Sequence, residues 1–274
     1  MLFVYNTWDK FCKKLKNNGK LSIPASEVQS DMNEFIVLKH DIEKAVEKAY
    51  KLAEIEKKYG HRGSFYAHAY LLKNEKNIVL LKKMQEMGHE ISYHYDVMDS
   101  NKGDIDKADI EFENNIRLFE KNGFRIKTVC QHGNPIVERI GYTSNRDFFR
   151  NSSIQRKYPN IADIMVNYKM KFNIEYRYYS DAGRKFQLVY DPLNNDVKKS
   201  DDKNIQYENL DDMLEKLADK AIISTHPHRW TKSKFEYIVR ERLFKLIKAV
   251  AKIMMRVPIF RKIMSKYYYL AKKI

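Results

Sequence analysis

Short apolar runs rich in branched and aromatic residues alternate with amphipathic helical stretches along most of this 274-residue chain, and that alternation restricts the fold more than any other feature. Phe35-Ile36-Val37-Leu38 is a run of the kind buried on both faces of a sheet. A helical pattern follows over residues 42–58, carried by Ala45, Ala49, Leu52, Ala53 and Ile55. Ser64-Phe65-Tyr66-Ala67 reads as the next strand, followed by a helix over 75–87, a strand over 90–93, a helix over 108–121 and a strand over 127–130. Four strand-then-helix steps predict a parallel sheet, arranged as an open α/β sheet or a barrel. Residues 144–205 are less regular, with strands expected over 176–179 and 186–189. A helix over 210–217 and a strand over 221–224 resume the pattern. At the front, Asn6 or Thr7 is the expected cap of a helix that Gly19 ends.

The length is enough to bury a core without disulfides. Cys12 and Cys130 have no metal or redox spacing and fit a reducing compartment, which favours the cytoplasm. The N-terminus lacks the basic flank and apolar core of a signal peptide, and no stretch approaches the ~20 apolar residues of a spanning helix. The net charge of +15 raises nucleic acid as a partner, but eleven basic residues against Glu241 lie between Arg240 and Ile274. With the charge confined to one end and no recognisable binding motif, nucleic acid is disfavoured.

In parallel α/β folds, ligand sites form beyond the carboxyl ends of the strands. Four of the eight histidines end expected strands: His40 with Asp41 after FIVLK, His94 after EISY, His132 after TVCQ and His226 after IIST. A catalytic divalent metal takes about three ligands from imidazole and carboxylate and leaves a position for water. Asp41, His94 and His132 can supply one oxygen and two nitrogens. Glu43 is the alternative to His132 as the third ligand, and reads equally as a carboxylate at a helix N-terminus. His40 either removes a proton near neutrality or orients Asp41 by a hydrogen bond. His89, beside Gly88 where a helix passes into a strand, is expected to be structural.

FIVLKHDIE, MGHEISYHYD, VCQHGNP, YSDAGRKF and IISTHPHRW also occur in the order and approximate spacing of the signature segments of the polysaccharide deacetylase superfamily, across residues 35–230. The chain resembles that superfamily, with its nodulation-type chitooligosaccharide deacetylase homology. Within it the chain is most similar to a divergent branch found with surface-polysaccharide genes, whose first motif reads His-Asp. The resemblance implies an incomplete α/β barrel, which takes in residues 1–231, and a divalent metal cofactor, zinc first; it does not reach residues 232–274, whose own pattern predicts a basic amphipathic helical tail. It implies Asp41 as a metal ligand, His40 in the place of a general-base aspartate, Asp181 as the acid that orients a catalytic histidine or base, and His226 as general acid. His94 matches the first histidine of a His-x-x-x-His segment whose second position here is Met98, too soft a ligand to replace it. Arg184 either pairs with Asp181 or meets an anionic substrate. Arg229 and Trp230 extend the last motif into a loop, where the indole packs on a sugar face or plugs the barrel mouth.

The implied reaction is hydrolytic removal of an N-acetyl group from a sugar during cell-surface polysaccharide biosynthesis. Hydrolysis of another non-peptide carbon–nitrogen bond is the second reading, and a carbohydrate-binding protein that has lost its metal is the third. In the tail, Phe244, Ile247, Val250, Met254 and Val257 recur at helical spacing with Lys245, Lys248, Lys252 and Arg256 on another face. Beyond Pro258, Ile259, Phe260, Ile263, Met264, Tyr267 and Tyr268 repeat the pattern. Such segments lie on anionic membrane surfaces, which makes a lipid-linked saccharide at the inner leaflet an expected substrate; packing of the apolar face on the barrel is the alternative.

Overall fold

The computed structural model describes residues 2–134, 137–197 and 204–254, without the side chains of 247, 248 and 250–254. Its strands are β1 (Phe35–Ile42), β2 (Ser64–Ala67), β3 (Glu90–Tyr95), β4 (Thr128–Gln131), β5 (Ala162–Asp163), β6 (Arg177–Ser180), β7 (Gln187–Val189), β8 (Ile205–Gln206) and β9 (Lys220–Thr225). They form one sheet in the order β5-β4-β3-β2-β1-β9-β6-β7-β8. Every neighbouring pair from β5 to β6 is parallel, and β7 and β8 add on antiparallel. The helices that matter below are α1 (Tyr5–Asn17), α2 (Val46–Lys58), α3 (Glu75–Glu86), α4 (Ile105–Lys121), α5 (Leu210–Glu215) and α6 (Lys234–Met254).

β1 is buried at all eight positions, so its alternating side chains feed two different cores. Ile36 and Leu38 pack outward with Trp8, Phe11 and Leu15 of α1 and Leu52 of α2. Val37 faces the other way, into a cluster with Tyr66, Cys130, Ala162, Tyr178 and Ile222. That inner cluster joins side chains from β4 and β5 to side chains from β6, although these strands lie at opposite ends of the parallel run. The Tyr176 hydroxyl donates to the Ile164 carbonyl at 2.9 Å across the same gap. The sheet therefore curls around an inner core, and β5 and β6 do not pair among the described residues. This is the incomplete α/β barrel expected from the sequence.

The strands of the irregular segment fall where expected, as β6 and β7. Two boundaries differ. β1 continues through Ile42, which pairs with Ala67 of β2 and is buried in the outer core; α2 begins only at Val46, after Ala45 turns through the left-handed region at φ 57°. α1 begins at Tyr5, ahead of the expected caps, because Val4 bridges to Thr231 and the Tyr5 N–H donates to the Thr231 carbonyl at 3.0 Å.

α6 rests on the barrel through Tyr237, whose ring lies 6.3 Å from that of Phe3. Its exposed face carries Phe235, Val239, Leu243 and Leu246. No helix among the described residues is long and apolar enough to cross a membrane. The apolar pattern expected beyond Pro258 lies outside the described residues.

Candidate active site

Six neighbouring strands of the barrel each deliver a titratable side chain at or just past the carboxyl end: Asp41 from β1, His68 after β2, His94 from β3, His132 after β4, Asp181 after β6 and His226 after β9. Parity along β1 decides which of its residues join them. Lys39 and Asp41 share the inner face, where the Lys39 ammonium lies 2.6 Å from both oxygens of Asp41 and donates to Ser224 Oγ at 3.2 Å. Burial alone would raise the Asp41 carboxyl, but Lys39, helped by His94 and His226, outweighs it and holds Asp41 well below the usual carboxylate range. Burial likewise works to lower the Lys39 pKa, and Asp41 reverses it to well above the ordinary value.

Three imidazoles meet beside this pair. The ring centres of His68, His94 and His132 are 4.9, 4.9 and 5.1 Å apart, and one nitrogen from each lies within 4.8 Å of the others. Burial pushes His94 down to about 4, so its ring is neutral at physiological pH. Its Nδ1 lies 3.0 Å from the Cys130 carbonyl, which can only accept. The proton is therefore on Nδ1, and Nε2 presents a lone pair to His132 Nδ1, 3.2 Å away. A hydrogen bond on one ring nitrogen that fixes the other as a donor of electrons is the arrangement that supports metal-bound histidine. The 3.2 Å gap also approximates the ~3.3 Å edge of a tetrahedron with Zn–N bonds of ~2.05 Å. The residues present fit a divalent ion with a preference for nitrogen.

Opposite the imidazoles, His226 forms a dyad with Asp181. His226 Nδ1 lies 2.6 Å from Asp181 Oδ1. The buried carboxylate also accepts from the His226 N–H at 3.0 Å, Thr225 Oγ1 at 2.9 Å and Arg229 Nη1 at 2.7 Å. Burial would raise Asp181, but His226 and Arg229 prevail and hold it well below the usual range. With Nδ1 committed, His226 turns Nε2 into the site, 3.8 Å from Asp41 Oδ2 and 3.8 Å from Glu43 Oε1. Glu43 stands at the mouth, with its Oε1 also 3.8 Å from His132 Nδ1 and its Oε2 3.7 Å from His228 Nδ1. Two tethers hold this rim. The Tyr70 hydroxyl donates to the Glu43 carbonyl, and the Lys48 ammonium of α2 donates to the His228 and Trp230 carbonyls at 3.2 and 2.6 Å.

Several expectations need correction. His40 lies on the outer face of β1, wholly buried, stacked on Phe65 at 4.2 Å with its Nε2 2.8 Å from Glu56 Oε1. It neither faces the site nor touches Asp41, because neighbouring residues of a strand point to opposite faces. The set Asp41, His94 and His132 is divided as the side chains lie: Asp41 is on the Nδ1 side of His94, at 4.0 Å, and His132 on the Nε2 side, at 3.2 Å. The Arg184 guanidinium pairs with Glu241 at 2.8 Å and covers the Phe244 ring at 3.8 Å, so its side chain engages α6 and not the Asp181 carboxylate. Trp230 is buried against Phe3 and Trp8, and its Nε1 donates to Thr225 Oγ1 at 2.9 Å. Its ring is wholly buried in the outer core, and it touches the dyad through Thr225. Arg229 braces Asp181. Met98 is buried in the outer core beside Val97 and is no substitute ligand. His89 is structural as expected: its Nδ1 accepts from the Gly63 N–H at 2.9 Å and its Nε2 faces the Ala53 carbonyl at 3.2 Å.

Two residues of the site were missed in the sequence. His68 follows the SFYA strand directly, the same strand-end signal as the other four histidines. Lys39 shares a strand face with Asp41 through its i, i+2 spacing.

No protein-family model matches this sequence, and no curated protein matches it. Solved structures do resemble the fold. A mutant of BA3943 from Bacillus anthracis, described as a CE4 family pseudoenzyme with restored enzymatic activity, is similar at 15% identity with a TM-score of 0.38, covering 79% of this chain and 63% of that one. The chain thus spans less than two thirds of that protein's length. The family 4 carbohydrate esterase from Streptomyces lividans in complex with acetate is similar at 13% identity and a TM-score of 0.38, covering 71% of this chain and 80% of that one. The peptidoglycan deacetylase PdaC from Bacillus subtilis is similar at 14% identity and a TM-score of 0.41, with 84% and 98% covered. At such distances the chemistry has to be argued from this chain's own residues.

Proposed function

We propose that this chain is a metal-dependent hydrolase that removes the acetyl group from an N-acetylated sugar. The observation that carries the reading is the His226–Asp181 dyad, whose Nε2 lies 3.8 Å from both Glu43 and Asp41. An imidazole whose Nδ1–H is held by a buried carboxylate keeps Nε2 turned to the site, where the ring can take up a proton and give it to a leaving amine; beside residues that fit a divalent ion, this is the equipment that amide hydrolysis needs.

Zinc is the first choice for the ion; when bound it supplies Lewis-acid polarisation of the acetamido carbonyl and a water that is acidic near neutrality. The chain's own residues do the rest. With His40 on the far face, the proton of the attacking water falls to a carboxylate, and Glu43 is better placed than Asp41 because Asp41 is engaged by Lys39. As the carbon–oxygen bond forms and the carbon–nitrogen bond breaks, His226 acts as an imidazolium, with Nδ1–H on Asp181, and gives its Nε2 proton to the departing amine. Asp181 offsets the positive charge of the ring until that transfer leaves it neutral. The products are acetate and a free amino sugar.

The barrel, residues 1–231, would hold this chemistry, and residues 232–274 would bring it to an anionic membrane surface on the cytoplasmic side. The exposed stripe Phe235, Val239, Leu243 and Leu246, with Arg240, Arg242 and Lys245 beside it, supports that role. A lipid-linked saccharide used in surface-polysaccharide assembly is then the natural substrate.

The test is acetate release from N-acetylated sugars by the zinc-loaded full chain, beside His226→Gln. Release that falls ~10²–10⁴-fold in the variant, with zinc content unchanged, is the expected outcome. An equal rate in both proteins would refute the assignment of His226.

A further inference from the structure

The inner row of the barrel offers two ways to hold a divalent ion, and they exclude one another at His94. One uses Asp41, His94 and Cys130; the other uses His68, His94 and His132. The first needs His94 Nδ1, which is bound to the Cys130 carbonyl at 3.0 Å. It also needs Asp41, both of whose oxygens lie 2.6 Å from a buried ammonium. The second uses the nitrogen that His94 leaves available, and it faces His132 at 3.2 Å. We infer that the ion of this site is held by three imidazoles, His68, His94 and His132, and that Lys39 takes Asp41 out of the ligand set. This rests on the hydrolase reading only for what the ion does, not for how it is held.

The chemistry of the site changes with the ligand set. Three neutral ligands leave the full double charge on the ion, which acidifies a bound water more than a site that includes a carboxylate. Three imidazoles also select zinc and its neighbours in the first transition row over magnesium, calcium and manganese, which prefer oxygen. Lys39 has a stated part in this. Without it, Asp41 would be a free anion 4.0 Å from His94 and would compete for the ion. Lys39 is a positioning residue that acts through Asp41.

Zinc-edge X-ray absorption of the unmutated, zinc-loaded full chain tests the ligand set without a variant. Three imidazole scatterers are expected; a sulfur scatterer, or fewer than three imidazoles, would overturn the assignment. Zinc affinity then separates the residues. His68→Gln is expected to weaken zinc by more than ~100-fold, beyond the 10–100-fold that partners behind a ligand usually cost, while Asp41→Asn binds within ~10-fold of the unmutated chain. Circular dichroism confirms that each variant is folded. Zinc lost in Asp41→Asn and retained in His68→Gln, or an unmutated chain that binds no zinc, would refute the inference. Zinc held by three imidazoles without acetate release would instead refute the hydrolase reading and leave the ligand set standing.

Discussion

Lys39 and Asp41 form the most deeply buried ion pair at the site, with side chains 1% and 9% exposed, and breaking it from either side should give unequal results. Removing one partner of a buried pair costs ~3–5 kcal/mol, because the other is left as an uncompensated charge. Asp41→Asn leaves the ammonium with Ser224 Oγ at 3.2 Å and the Tyr66 ring at 5.6 Å, neither of which carries a negative charge. It belongs at the upper end of that range. Lys39→Met leaves a carboxylate that still has His226 Nε2 at 3.8 Å and that can take up a proton, so it belongs at the lower end. At ~2–4 °C per kcal/mol for a domain of ~150–250 residues, the melting temperature should fall by ~6–20 °C. The double variant Lys39→Met, Asp41→Asn buries no unpaired charge and should be destabilised by at least ~2 kcal/mol less than the sum of the single changes. Urea denaturation of the four metal-free proteins at pH 7 gives the cycle. Single variants within ~1 kcal/mol of the parent, or strict additivity, would refute the description of the pair as buried and coupled.

Asp181 gives a pH signature of known sign. Its folded pKa is depressed, so its contribution to stability is present above the unfolded value of ~3.9 and is lost as pH falls through the folded one; Asp181→Asn should flatten the acid limb of the stability curve below pH ~4. His40→Phe should lower stability by ~1–3 kcal/mol, because buried Glu56 loses a partner, yet leave both zinc content and acetate release intact. A loss of zinc in that folded variant would return His40 to the site. Flotation with anionic vesicles should be weakened by Leu243→Glu and by salt, since each basic residue near such a surface contributes ~1 kcal/mol; binding that is equal on neutral vesicles would refute the electrostatic part of the surface proposal.

The parallel sheet was legible because its evidence is local: branched runs of four to six residues, each followed by a helical period. The strand ends that carry Asp41, His94, His132 and His226 were legible for the same reason. What failed was parity. Reading the helix from Ile42 left β1 too short to show that His40 and Asp41 lie in the same extended segment, and hence on opposite faces. With β1 extended to Ile42, the i, i+2 relation of Lys39 to Asp41 becomes visible in sequence, and so does the removal of His40. Arg184 and Trp230 failed differently. Their partners, Glu241 and Phe244 for one and Phe3 and Trp8 for the other, are far away in sequence and are set only when α6 and the N-terminal segment dock.

The eight histidines can be sorted by two geometric conditions that have nothing to do with their identity as histidine. His40, His61 and His89 lie outside the inner barrel wall, and each is matched by a fixed neighbour: Glu56 for His40, the Ser22 N–H and Cys12 carbonyl for His61, the Gly63 N–H and Ala53 carbonyl for His89. Those contacts fasten α1 and α2 to the sheet. His68, His94, His132, His226 and His228 lie at the carboxyl ends of the strands or in the loop beyond. There the nearest ionisable groups are one another, Glu43, Asp41, Asp96 and Asp181. His61 and His89 engage both ring nitrogens with backbone groups, and His40 is packed on the outer face against Phe65 and Glu56; at the strand ends a ring faces the other titratable groups of the site, where its proton can be exchanged for a metal or passed to a substrate. His94 belongs to both classes at once. Its Nδ1 is tied to the Cys130 carbonyl and its Nε2 is open to His132, and that division within one ring decides which side of it an ion can occupy.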